Sequence, residues 1–286
     1  MSRRLTYSLT DHLLKSKPQD YKAATQSNFL LAAARGTLAP DKLASWMANE
    51  RVYLHGYTKG IGRLLSQIQQ PDRQPEPAVT EEKGAEENLV ELLIDALGAV
   101  NDEKSRFEEV ANTYGIDMDS FCDERGKLAY AKKTDGTRRF EALFGSVRLA
   151  DSPVCPWLEA AVLYWGTERI YLDAWTWAKG RQGPDHGSGP GGGGGGGGGV
   201  TAAAAATADH NYAKDRDGGA LRKEFLPIWT KQEFVEVVET FQGFVDVHVR
   251  EAVQVHGEKV LEEIVGRAET AWAELLLAEK GSWPDV

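Results

Sequence analysis

Residues 43–68 read LASWMANERVYLHGYTKGIGRLLSQI, and their spacing decides the fold class. Leu43, Trp46, Met47, Tyr53, Leu54, Tyr57, Ile61, Leu64 and Ile68 recur mostly at intervals of three and four, with Pro40 near the first turn. That period belongs to one long amphipathic helix. Glu50 falls in phase with Met47, Tyr53, Leu54 and Tyr57, so the same pattern carries a carboxylate onto the apolar stripe, where an unpaired charge is costly.

Working outward, residues 85–114 repeat the pattern through Leu89, Leu92, Leu93, Leu97, Val100, Phe107 and Val110 and stop at Gly115, a glycine helix terminator. Asp151-Ser152-Pro153 offers a capping side chain and a proline, and Leu158, Ala161, Trp165, Leu172 and Trp175 continue that helix to Gly180. Thr230-Lys231-Gln232-Glu233 reads as a capping box ahead of Phe234, Val237, Val238, Phe241, Phe244 and Val245. A last helix spans 257–280. Strand alternation and hairpin turns are missing, so the expected fold is an all-α bundle of seven to nine helices.

Two stretches interrupt the helical pattern. Residues 70–84 contain Pro71, Pro75 and Pro77 among charges and read as a linker. Residues 180–219 contain the glycine run 191–199 and the alanines 202–206, and read as a disordered loop. Both are excursions from one domain spanning 1–286. A phosphate loop is not indicated in the glycine run, because no strand precedes it and no Lys-Ser/Thr follows in register.

Composition narrows the function. The chain has 286 residues, 42% of them hydrophobic, and eight tryptophans, enough for a substantial core. A net charge of -10 and a pI near 5.2 argue against nucleic acid or an anionic membrane as partner. Cys122 and Cys155 show no metal-ligand spacing and no disulfide framework. The first fourteen residues reach Asp11 and His12 before any apolar run, and no stretch is long enough to span a bilayer, so a cytoplasmic protein is expected.

Acids on apolar stripes are the candidates for chemistry. Besides Glu50, Glu168 lies beside Thr167 and Tyr171 with Tyr164 one turn earlier, and Glu274 follows Ile264, Ala271 and Trp272 along the last helix. Each has an ordinary alternative: its stem reaches solvent, or it pairs with a basic neighbour, just as Tyr53, Tyr57 and Tyr171 are also plain packing residues. His248 and Glu251 show helical ligand spacing once, without a second copy, so His248 reads as a solvated residue and no metal or other cofactor is expected.

The segment Phe29-Leu-Leu-Ala-Ala-Ala-Arg-Gly-Thr-Leu-Ala-Pro40, running into Trp46-Met-Ala-Asn-Glu-Arg-Val-Tyr-Leu54, resembles the first signature of the TenA family. Thr167-Glu-Arg-Ile-Tyr171 is similar to that family's Cys-Glu-Trp-Leu-Tyr, Trp229 to Phe234 resembles the block before its penultimate helix, and Ala271-Trp-Ala-Glu274 resembles its C-terminal acidic stretch. The resemblance implies a haem-oxygenase-like fold without haem, thiaminase II-like hydrolysis of an aminopyrimidine in thiamin salvage, and a homo-oligomer. By position it assigns Glu50 to the pyrimidine, Tyr53 and Tyr171 to the substrate pocket, and Glu274 to catalysis. Thr167 stands where the family has its cysteine nucleophile, and Phe140 and Trp229 stand where it has tyrosines. A threonine hydroxyl is a far weaker nucleophile than a thiol, so hydrolysis would fall to Glu168 and Glu274 acting on water. The alternative is a non-catalytic small-molecule binder or scaffold on the same fold.

Overall fold

The computed structural model describes residues 7–69, 84–182 and 212–286. Most of the linker 70–84 and the core of the loop 180–219, including its glycine run, lie outside these residues. The described residues form nine α-helices: α1 (Leu9–Ser16), α2 (Pro18–Thr25), α3 (Asn28–Ala34), α4 (Pro40–Leu65), α5 (Ala85–Tyr114), α6 (Asp135–Ser146), α7 (Leu158–Lys179), α8 (Gln232–His256) and α9 (Val260–Lys280). No strand occurs among the described residues, apart from one isolated bridge between Cys122 and Leu128. The all-α bundle is as the periodicity implies.

Helix α7 is the central element, packed against α8 and α9 and against α2 and α3, while α4 packs on α5 and α6. The close approaches depend on missing side chains. A Cβ at Gly60 would lie 2.6 Å from the Tyr164 hydroxyl, and one at Gly166 would lie 2.3 Å from Leu275. The core is aromatic: Trp46, Trp165, Trp175 and Trp272 are each 0% exposed. Trp46 alone meets Phe29, Phe107, Trp175, Phe225 and Trp229 within 6.1 Å.

Helix ends expose the limits of pattern reading. α5 ends as expected, with Gly115 left-handed at φ 64°. The capping box at Thr230 does not form: Thr230 donates to the Leu226 carbonyl, and Lys231 occupies the cap position of α8 without a side-chain bond. α7 begins at Leu158 rather than Pro153, because Ser152 turns back on the Val154 backbone and Cys155 adopts φ 47°. Cys155 therefore precedes the helix instead of lying on it.

His248 is buried at 8% exposure, with Nδ1 2.6 Å from Glu251, contrary to its expected solvated position. Rings of Trp157 and Phe244 cover it. The C-terminal end of the expected loop also folds. Asp215 and Asp217 are buried, Arg222 binds Asp215 through Nε at 2.7 Å, and Asp217 accepts the Gly219 and Leu221 amides at 3.0 Å. This anchor sets a π-helical turn, Ala220–Phe225, and a 3-10 turn, Ile228–Thr230, against the bundle.

Candidate functional site

Four helices and the Ile228–Thr230 turn enclose a small cavity of about 40 Å³. α4 contributes Glu50, Tyr53, Leu54 and Tyr57, α5 contributes Val100 and Glu103, and α7 contributes Thr167, Glu168 and Tyr171. Trp229 and Phe234 complete the wall. Five of the expected pocket residues, Glu50, Tyr53, Thr167, Tyr171 and Trp229, thus meet here together with Glu168. Phe140 does not line the cavity. It stands behind it, edge-on to Tyr53 at 4.8 Å.

Glu274 is a correction. It is exposed on α9, while Glu279 on the same helix is only 4% exposed. The reason is helical phase: Glu274 is two residues from buried Trp272, or about 200° around the axis, whereas Glu279 follows Trp272, Leu275 and Leu276 at seven, four and three. Burial pushes the Glu279 carboxyl well up, reinforced by Glu50 and Glu168, so it shares their electrostatic neighbourhood although it does not line the cavity.

Glu103 is the acid that the pattern missed. It accepts the Trp229 indole N–H at 3.1 Å from the far wall of the cavity. Its run, Asn101-Asp102-Glu103-Lys104, looks solvated, yet Val100 three before and Phe107 four after mark the buried side. That register was a usable signal.

The acids are tuned by their surroundings. Burial pushes Glu50 up to about 8, and the nearby Glu103 charge adds to this. Trp46 lies close enough to favour the Glu50 carboxylate, although its Nε1 misses hydrogen-bond geometry. Glu103 is raised to about 8 by burial and then by Glu168, with the Trp229 bond opposing. Glu168 is raised to about 7 by burial, while the Tyr57 hydroxyl donates to it at 2.9 Å and holds the rise back. Carboxylates that raise one another in this way resist ionising together without a counter-charge.

The remaining polar groups divide into engaged and open. Thr167 Oγ1 donates to the Tyr164 carbonyl at 2.9 Å, a bond within its own helix that leaves it no activating base. Tyr171 Oη, Trp46 Nε1 and Trp175 Nε1 are buried without a hydrogen-bond partner among the described residues. Cys155 lies outside the cavity, its thiol pushed by burial up to about 11, and offers no thiolate. Among the described residues no group of three or more His, Cys, Asp and Glu is arranged to hold a metal ion.

Solved structures share this arrangement of helices. A TenA homologue from Pyrococcus furiosus superimposes with a TM-score of 0.61 at 16% identity, covering 96% of this chain and 98% of that one. A TenA homologue from P. horikoshii OT3 gives 0.57 at 13% identity, covering 97% and 99%. The chain has the TenA fold. No family model matches the sequence. A probable transcription factor of Fusarium pseudograminearum is 23% identical over 274 residues, 94% of this chain and 51% of the relative. An uncharacterised Schizosaccharomyces pombe protein is 25% identical over 96 residues, 34% of this chain and 35% of the relative. The chain therefore spans about half the length of the first relative and about a third of the second. On this fold Glu50, Glu103, Glu168 and Glu279 and the aromatics around them face the inside of the bundle, and among the described residues no helix is long and apolar enough to cross a membrane.

Proposed function

We propose that the chain is a divergent TenA-like protein that takes an aminopyrimidine, or a related flat nitrogen heterocycle, between Glu50 and Glu168, with Tyr53, Tyr171 and Trp229 against the ring. The observation carrying this reading is the set of inward carboxylates with raised pKa between aromatic walls. A ring that donates from an exocyclic amine, or carries a proton itself, supplies the hydrogen bonds and counter-charge that Glu50 lacks. It also gives the open Tyr171 hydroxyl a ring nitrogen to meet.

Hydrolysis on this site would follow from the acid pair. In ionised form Glu168 takes a proton from water as it attacks the carbon bearing the leaving nitrogen, and in protonated form Glu279 donates to that nitrogen as the C–N bond breaks. Glu279 takes the role first given to Glu274. Purified protein incubated with thiamin and with aminomethylpyrimidine is expected to release hydroxymethylpyrimidine. Glu168→Gln and Glu279→Gln should each slow release about 10²- to 10⁴-fold, and Glu274→Gln should leave it unchanged. Product formed equally by all four proteins would overturn the assignment.

A second reading, a binder without chemistry, is favoured by two observations: Thr167 is engaged in its own helix, and Trp229 helps close the cavity to about 40 Å³, well below the 300 Å³ or so of ordinary ligand pockets. Thermal stabilisation by the pyrimidine without product would select it.

A further inference from the structure

The outward side of α4 carries a different charge. Arg51, His55, Lys59 and Arg63 recur every fourth residue, which stacks them along one side of the helix over about 18 Å. Across a groove of about 470 Å³ they face Lys127 and Lys133. That volume lies within the range of small-molecule sites, roughly 300 to 1,000 Å³. The floor is apolar, with Val52, Leu128 and the buried ring of Phe144.

Neutralisation is incomplete. Asp119 binds Arg51 at 2.7 Å and Glu141 binds Lys133 at 2.6 Å. Among the described residues, no carboxylate pairs with Lys59, Arg63 or Lys127. His55 reports the resulting field: its pKa is lowered by burial and then by the charges of Lys104, Lys59 and Arg51. A positive groove on a chain of net charge -10 concentrates anions that the rest of the surface repels.

We propose that this groove binds a small organic phosphate, with a di- or triphosphate-like end along the α4 cations and a flat or apolar body on the Val52, Leu128 and Phe144 floor. Several cations in line suit a multiply charged anion better than a single carboxylate. A nucleic acid is the weaker fit, because a long polyanion is disfavoured by a chain of net charge -10. The site lies on the opposite face of α4 from Glu50 and Tyr53, and it does not depend on the reading of the inner cavity.

The test is titration calorimetry on the full chain with sodium tripolyphosphate and with ADP, at fixed ionic strength without added metal. Saturable one-to-one binding is expected for both, with ADP gaining from the apolar floor. The double variant Lys59→Glu/Arg63→Glu, and separately Lys127→Glu, should weaken both by about tenfold or more, while Lys280→Glu on α9 should bind as the parent does. These side chains are exposed, and circular dichroism melts check that each variant is folded. Three outcomes overturn the proposal: no saturable binding, equal binding by parent and groove variants, or a single-stranded oligonucleotide binding more tightly than either probe.

Discussion

The two faces of α4 hold ionisable groups of opposite sign in opposite solvents. Inside, Glu50 stands among Tyr53, Tyr57 and Trp229 and has lost most of its water; outside, Arg51, His55, Lys59 and Arg63 line a groove open to it. The inner acid responds by holding a proton up to about pH 8. The exposed Lys59 and Arg63 keep their hydration, and the outer basic residues act through summed field. Phe144 belongs to both environments, flooring the groove while its ring meets Tyr53 at 5.4 Å and Tyr57 at 5.5 Å. One helix thus builds a dry site whose protonation matters and a wet site whose charge count matters.

The contrast can be broken most severely at its dry end. Trp46→Ala should cost about 3–5 kcal/mol in denaturant unfolding, because the indole is fully buried among rings from five other segments. A loss under about 1 kcal/mol would contradict so dense a core.

Glu50→Gln sharpens the comparison through pH. The Glu50 pKa rises from 4.5 to about 8 on folding, so between those values the folded state binds more protons than the unfolded one. Its contribution to stability is therefore fully present below about pH 4.5, falls as pH rises, and levels off above about 8. The amide variant should gain on the parent across that window and be more stable by about 1–3 kcal/mol at pH 8.5. A difference between the two proteins that does not change with pH would remove Glu50 from the dry site.

The smallest effect belongs to the outer face. Arg51→Ala loses an ion pair to Asp119, which is 79% exposed, and should change unfolding stability by no more than about 0.5 kcal/mol, less still in high salt. A cost several times larger would mean that the outer face is structural rather than a hydrated surface.

How far the sequence could be read follows the same division. Long periodic helices were legible, and α5 was bounded correctly by its terminal glycine. α7 was not, because Asp151-Ser152-Pro153 has the chemistry of a helix start but its hydroxyl turns back on the Val154 backbone. Short α1 and α2 went unread, since eight residues carry too little period. α1 is held by Asp246 of α8, which accepts the Thr10 amide at 3.0 Å and its hydroxyl at 2.9 Å, a bond spanning 236 positions. In the site, Glu50, Tyr53, Thr167, Glu168, Tyr171 and Trp229, singled out on separate helices and a turn, line one cavity. Glu274 was singled out by its place after Trp272 and by motif position, and Glu279, which helical phase favours, was not considered. Glu103 was hidden in a charged run.

The sequence by itself determined that this is a helical chain with acids on its apolar stripes, because periodicity is local and each helix displays its own buried face. Only the tertiary structure decided which acids meet. Proximity between α4, α5, α7 and α9 depends on helix phase, on the Gly60 and Gly166 approaches, and on Trp229 being carried in by the Asp215–Arg222 anchor. The pKa values follow from that meeting, since burial and neighbouring charge are properties of the assembled bundle rather than of any one helix.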